Sequence, residues 1–245
     1  MIDPRLHIIG KRLENIKNII AVSGGKGGIG KSTVVSVLAL CMANNGYRTG
    51  LLDLDLSGPS THIILGADGI YPDEDKGLIP PEIHGIKYMS IIYFAGNNPS
   101  PLRGADISNI IIELLTITIW GQLDVLILDM PPGISDSILD VIRLIKKMNF
   151  LVVTIPSKVA IGVMKKELKI LTELNLPVMG ILENMRIKES PLLSDMINDT
   201  DIPILGSIYL DHTIENATGY IDKLTETDFY KHLDKIFNAR IKDKL

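Results

Sequence analysis

Ser23-Gly24-Gly25-Lys26-Gly27-Gly28-Ile29-Gly30-Lys31-Ser32-Thr33 is the stretch that decides how the rest of the chain is read. Its frame, Gly25-x-x-x-x-Gly30-Lys31-Ser32, meets the Walker A pattern of a phosphate-binding loop in full. The preceding Lys17-Asn18-Ile19-Ile20-Ala21-Val22 is a short apolar run suited to a buried strand. After the loop, Ser32 to Asn45 carries apolar residues at helical spacing and closes on Gly46. This strand–loop–helix context makes the motif credible and leaves little room for a glycine-rich turn that binds nothing. Glycines allow successive backbone N–H groups to converge on an anion at a helix N-terminus. The residues expected to contact nucleotide are Gly25, Gly27, Gly28, Ile29, Gly30, Lys31, Ser32 and Thr33. Lys31 is expected on the β- and γ-phosphates, with the Ser32 hydroxyl as a Mg²⁺ ligand. Lys26 is an additional lysine that an ordinary loop of this kind does not need.

Outward from the loop, hydrophobic runs alternate with helical patterns. Strands are predicted at 18–23, 48–54, 87–92, 124–129, 150–154 and 178–183, and helices at 31–45, 105–119, 135–148, 159–173 and 228–242. Val125-Leu126-Ile127-Leu128 is apolar throughout, the mark of a parallel strand covered on both faces. The expected fold is α/β, a doubly wound and mostly parallel sheet with helices on both faces and ligands at the carboxyl ends of its strands. The 245 residues are expected to form one domain, with a less regular insertion at about 57–104 rich in Pro, Gly and Asp. The composition, 46% hydrophobic and 22% charged, is that of a soluble globular chain. A formal net charge of −4 argues against non-specific nucleic-acid binding, so no nucleic-acid partner is expected. No signal-type h-region stands between Met1 and Glu14, and no apolar run approaches ~18 residues. A cytoplasmic location follows as the expectation.

Two further segments carry chemistry. Gly50-Leu51-Leu52-Asp53-Leu54-Asp55 ends the second strand on the loop's edge of the sheet. A carboxylate there either orients a water for in-line attack, the role favoured for Asp55, or holds Mg²⁺, the role considered for Asp53. Ordinary turn chemistry ahead of Gly58-Pro59 is an equally good reading of both. The second segment, Val125 to Asp129, is an apolar strand ending in a carboxylate, the Walker B arrangement. A buried Asp129 needs a compensating partner, which Mg²⁺ beside Ser32 supplies. Pro131-Pro132-Gly133 then makes a stiff turn whose Gly133 N–H is expected near the γ-phosphate, and Ser135 suits a helix N-cap. The five histidines show no metal-ligand spacing.

Together these segments resemble the Mrp or ApbC-like family of P-loop ATPases, within the deviant-Walker group that includes MinD and the nitrogenase iron protein. The likeness rests on Gly25 to Thr33, Gly50 to Asp55 with Gly58-Pro59-Ser60, Arg103-Gly104, Trp120 to Asp124, Asp129-Met130-Pro131-Pro132-Gly133 and Gly180-Ile181-Leu182-Glu183-Asn184-Met185. It covers roughly residues 15–210. The resemblance implies an ATP- and Mg²⁺-dependent homodimer that hydrolyses ATP with Lys26, Lys31, Asp55 and Asp129, and acts in iron–sulfur protein assembly with a scaffold or client protein. It implies that Lys26 reaches across the interface to the partner's nucleotide, in the manner of an arginine finger. It also implies an adenine contact for Asn184, which by its own residue type is equally a plain turn former.

One departure bears on function. Family members holding an iron–sulfur cluster carry Cys-x-x-Cys shortly after the Glu-Asn-Met segment, where this chain reads Arg186-Ile187-Lys188-Glu189-Ser190-Pro191. Four thiolates are the usual requirement for a cluster, and Cys41 is the only cysteine. A cluster of its own is therefore not expected, and a nitrogenase-type reductase drops out. The alternative reading is a MinD- or ParA-like positioning ATPase that switches association with a membrane or partner. The C-terminal stripe Phe229, Leu233, Ile236, Phe237 and Ile241 bears on that alternative, and is expected to dock on the core or a dimer partner rather than on a membrane.

Overall fold

The computed structural model describes residues 4–56, 58–95, 104–133 and 136–245. Helix α1 (Arg5–Leu13) leads into β1 (Ile16–Ser23), and the loop that follows opens α2 (Lys31–Asn44). Strand β2 (Thr49–Asp53) comes next, then α3 (Thr61–Leu65), the two-residue strands β3 (Asp73–Glu74), β4 (Leu78–Ile79) and β5 (Glu82–Ile83), and β6 (Ile86–Ser90). After α4 (Ile92–Ala95) and α5 (Gly104–Ile117), strands and helices alternate: β7 (Leu123–Asp129), α6 (Asp136–Leu144), β8 (Asn149–Thr154), α7 (Lys158–Glu173) and β9 (Val178–Arg186). The chain ends with α8 (Leu192–Ile197), β10 (Ile204–Tyr209), α9 (Thr213–Ala217), α10 (Ile221–Glu226) and α11 (Asp228–Ile236), followed by a π-helical turn, Phe237–Ile241.

Eight strands form the main sheet in the order β10-β9-β8-β1-β7-β2-β6-β5, parallel except for the β5–β6 pair. Alternation along β1 shows how both faces are filled. Ile20 and Val22 enter a core with Val34 and Leu38 of α2 and Leu233 of α11, while Ile19 and Ala21 enter the opposite core with Leu114, Val141 and Leu168. Each fully buried Ile, Leu or Val contributes about 1.5–3 kcal/mol, so the two-sided burial of β1, β7 and β8 holds the sheet centre rigid. The loops after β1, β2, β7 and β9 all leave the carboxyl edge of the sheet, which is where α/β proteins build ligand sites. The expected α/β doubly wound fold is the one observed.

Several details differ from the pattern-based expectation. The helix predicted to run to 148 ends at Leu144, because β8 begins at Asn149 and the chain needs the intervening residues to turn back into the sheet. Ser135 and Arg103 lie outside the described residues. Strand β10 was not predicted; it is short, contains Gly206 and carries a burial pattern with no clean alternation. Helix α1 and the short helices α3, α8, α9 and α10 were likewise not predicted, being shorter than the windows over which a 3.6-residue period becomes legible. The helix predicted for 228–242 is α-helical only to Ile236. An α-helix rotates each i, i+4 step by about 40°, whereas a wider π turn rotates it back. That correction keeps Leu233, Phe237 and Ile241 on one stripe, all three buried against α2 and its neighbours. Cys41 is a fully buried member of the same core, and burial pushes its thiol far above the usual range.

Candidate nucleotide-binding site

The loop between β1 and α2 wraps because its glycines reach backbone conformations closed to other residues. Gly28 and Gly30 lie at φ 77° and 75°. Gly30 is also the N-cap of α2, and a Cβ there would fall 2.4 Å from Asn184 Nδ2. No acidic residue occupies the first turn of α2, so its N-terminal N–H groups and dipole favour an anion. Ile29 is buried and plugs the loop onto the core, whereas Lys26, Gly27 and Gly28 are exposed. Ser32 and Thr33 are half-buried at the start of the helix.

Lys31 is 6% exposed and forms an ion pair with Asp129, with Asp55 Oδ2 3.9 Å away. Asp129 is fully buried, and among the described residues its Oδ2 has no hydrogen-bond partner. Burial raises its pKa, against the opposing pull of Lys31 and the Ser32 hydroxyl. An acceptor left open beside a serine hydroxyl and a phosphate loop fits an oxygen-seeking dication such as Mg²⁺. Asp53 lies beside Asp129 in register across β2 and β7. Burial and the Asp129 charge push Asp53 up to about 7, partly offset by the groups bonded to it. Its Oδ1 accepts from the Asp55 N–H at 3.0 Å, and its Oδ2 from the Thr61 N–H at 3.3 Å and the Thr61 hydroxyl at 2.6 Å. Tyr88 OH lies 2.9 Å from that hydroxyl. Both oxygens of Asp53 thus accept hydrogen bonds from the segment that follows β2, while Asp129 keeps an oxygen with no hydrogen-bond partner among the described residues.

Gly133 lies against the phosphate loop. Its N–H donates to the carbonyl of Gly24 at 3.1 Å, tying the Pro-Pro-Gly turn to the phosphate loop. Asn184 reaches the loop from β9: its Nδ2 donates to the Ile29 carbonyl at 2.9 Å, and its Oδ1 is buried with no partner among the described residues. Met185 follows in the left-handed region at φ 56°. A cleft beside the loop is lined by Gly30, Thr33, Asn184, Met185, Tyr209, Leu210, Asp211, Ile214 and Phe229. Sequence reading brought Asn184 to this place but missed its companions on β10, α9 and α11, which no local motif marks. Thr61 and Tyr88, the supports of Asp53, were missed for the same reason. His62 is half-buried, and burial lowers its pKa. Among the described residues no cluster of three or more His, Cys, Asp or Glu could hold a metal ion, and no helix is long and apolar enough to cross a membrane.

A phosphate loop on a central parallel strand, flanked by the strand-end Asp53 and Asp129, places the molecule in the class of P-loop nucleotide-binding proteins. Comparison with known proteins narrows this. Residues 15–243 match the family described as NUBPL iron-transfer P-loop NTPase, of the ParA group, and the chain belongs to that family. It is 39% identical to the iron–sulfur cluster carrier protein of Pseudomonas fragi over 71% of this chain, and 36% identical to that of Aquifex aeolicus over 82%. The chain spans 62% and 60% of those two carriers' own lengths. It is also 34% identical to a cytosolic Fe-S cluster assembly factor Nubp2 homolog of Drosophila yakuba, over 88% of this chain and 92% of that one. Among solved structures, a nucleotide-binding protein of Archaeoglobus fulgidus in complex with ADP superposes with a TM-score of 0.76 at 30% identity, covering 90% of this chain and 93% of that one. MinD of Pyrococcus horikoshii, complexed with Mg-ADP, has a TM-score of 0.66 at 18% identity, covering 89% and 93%, and shows the shared fold alone.

Proposed function

We propose that the protein binds and hydrolyses Mg²⁺-ATP as a homodimer and serves iron–sulfur protein assembly without a cluster of its own. The observation that carries this reading is the buried Lys31–Asp129 pair at the mouth of the phosphate loop, with one Asp129 oxygen open beside Ser32. The loop N–H groups and Lys31 bind the phosphates. Ser32 and Asp129 are the residues that would hold Mg²⁺, which supplies charge neutralisation on the phosphate oxygens. Asp53 shapes the turn that presents Asp55, and Asp55 orients the water that attacks the γ-phosphorus as the bond to ADP breaks. Lys26, exposed at the loop's outer edge, reaches the nucleotide of the partner subunit and stabilises the charge there. Asn184 accepts from the exocyclic amine of adenine through its open Oδ1. The whole chain acts as one domain, in the cytoplasm.

The iron–sulfur role is supported by the family and by the names of its relatives. The absence of cysteine from 186–191 argues that any cluster is met on a scaffold or client protein rather than bound here. The test is to slow hydrolysis with Asp55→Asn, trap the ATP state in cells and identify what co-purifies. Iron–sulfur enzymes or scaffolds among the captured proteins support the reading, and their absence sinks it. Anaerobic reconstitution of the isolated protein should leave no stoichiometric iron. A second reading, a MinD- or ParA-like positioning switch, is favoured by the same missing cysteines. ATP-dependent sedimentation with liposomes would establish it.

A further inference from the structure

On the face of the sheet opposite Lys31 and Asp129, a carboxyl group with no part in the reading above lies beneath the phosphate loop. Glu167 is 3% exposed, on the side of α7 that packs on the sheet with Met164 and Leu168. Two hydroxyls reach the same layer. Ser23, at the entry to the loop, pairs in register with Val152, and Thr154 lies two residues further along β8, on the same face. Ser23 Oγ, Thr154 Oγ1 and Glu167 Oε2 are all buried without a hydrogen-bond partner among the described residues. Buried polar groups in native proteins are rarely left so, and a cluster of them needs an explanation. Helix α7 also meets the loop directly: a Cβ on Gly25 would fall 2.8 Å from the Val163 side chain and 3.1 Å and 3.2 Å from the backbone of Val163 and Met164. Glu167 follows those contacts by one helical turn.

We propose that Glu167 is a positioning residue for nucleotide binding, its carboxyl packed beside Ser23 at the entry to the loop and its ionised form opposing bound phosphate. The inference rests on the reading that this loop binds ATP. A neutral carboxyl sets no charge against the phosphates, whereas a carboxylate accepts from a neighbouring hydroxyl and sets a full negative charge against them in a low-dielectric layer. Burial pushes Glu167 up to about 7, while the Ser23 hydroxyl and the Lys31 charge pull it back. Lys31 is the charged group whose field reaches Glu167 from α2, and among the described residues β1 and β8 bring the hydroxyls of Ser23 and Thr154 to this face. The Lys165–Asp199 pair joining α7 to the α8 side lies on the exposed flank of the helix. Bound phosphate raises the carboxyl's pKa further, so binding takes up a proton and affinity falls as pH rises through about 7.

The test is calorimetric titration of the full chain with Mg²⁺-ADP at pH 6, 7 and 8.5, for wild type and Glu167→Gln. Wild type should lose on the order of tenfold in affinity relative to the variant across this range, the scale of one charge acting through partly polar protein. A purely structural role for Glu167 would change affinity equally at every pH, and equal slopes in the two proteins overturn the inference. Absence of binding by wild type at all three pH values overturns the nucleotide reading as well, which separates the two failures. Should Glu167→Gln not fold, Ser23→Ala removes the hydroxyl that holds the carboxyl's pKa down. Its affinity midpoint should then move to higher pH, and an unmoved midpoint overturns the inference.

Discussion

Asn184 donates its side-chain amide to the carbonyl of Ile29 at 2.9 Å, linking the end of β9 to the phosphate loop across 155 residues of sequence. One side chain thereby ties the loop to a residue lining the cleft beside it, and its Oδ1 is buried without a partner among the described residues. Asn184→Ala removes both, and a buried hydrogen bond contributes roughly 1 kcal/mol with a further cost for the carbonyl left unpaired. ATP affinity is expected to fall about tenfold, and the preference for ATP over GTP to narrow. Competition binding with the two nucleotides measures this, and an unchanged preference would exclude the base contact.

Lys26 and Lys31 stand in the same loop with opposite environments, the first exposed and the second buried against Asp129. Lys26→Ala should therefore leave the nucleotide Kd within about twofold while hydrolysis drops by ~10³-fold or more, the scale of a residue acting on transferring phosphate in trans. Binding and turnover assays on the same preparation check it. Equal loss of both refutes the action across an interface.

The pH dependence of stability has a definite sign. Asp53 and Glu167 are both raised to about 7 in the folded chain, from 3.8 and 4.5. Each folded-state value lies above its unfolded one, so the folded chain holds protons that the unfolded chain has released. Their favourable contribution is complete below about pH 4 and is lost as pH rises toward 7. Asp199 and Asp211 are shifted the other way, Asp199 chiefly by its bond to Lys165, Asp211 by the Thr213 and backbone groups that outweigh its burial. They lose their contribution only in more acidic solution. Stability of the nucleotide-free protein is expected to decline between pH 5 and 7, with a slope approaching ~1.4 kcal/mol per unit for each group titrating. Urea denaturation at pH 5, 6 and 7 measures it, and a flat or rising trend contradicts these assignments.

Leu233 is fully buried with Phe237 and Ile241 against the core that contains α2. Leu233→Asp places a charge there and should destabilise the chain by about 3 kcal/mol or more, with or without lipid and nucleotide. Denaturation midpoints test this. A variant as stable as wild type would mean that the C-terminal helix leaves the core in solution.

The sequence alone determined the α/β fold, because motifs of this kind are local. The run Lys17 to Val22, the glycines through Gly30 and the helical spacing after Ser32 reveal the strand, the loop and the helix from their order and periodicity. Asp129 is legible for the same reason, at the end of an apolar strand. What only the tertiary structure decided depends on parts of the chain far apart in sequence. Asp53 is engaged by Thr61 and supported by Tyr88, Gly133 is tied to Gly24, and Glu167 lies near Ser23 because α7 packs on β8, the strand that pairs with β1. Apart from the eight-residue Asp53–Thr61 contact these are long-range, and partners such as Tyr88 and Glu167 carry no signal individually. A carboxylate in a helix reads as solvated surface until the sheet it packs against is known, and burial then changes both its charge and its role.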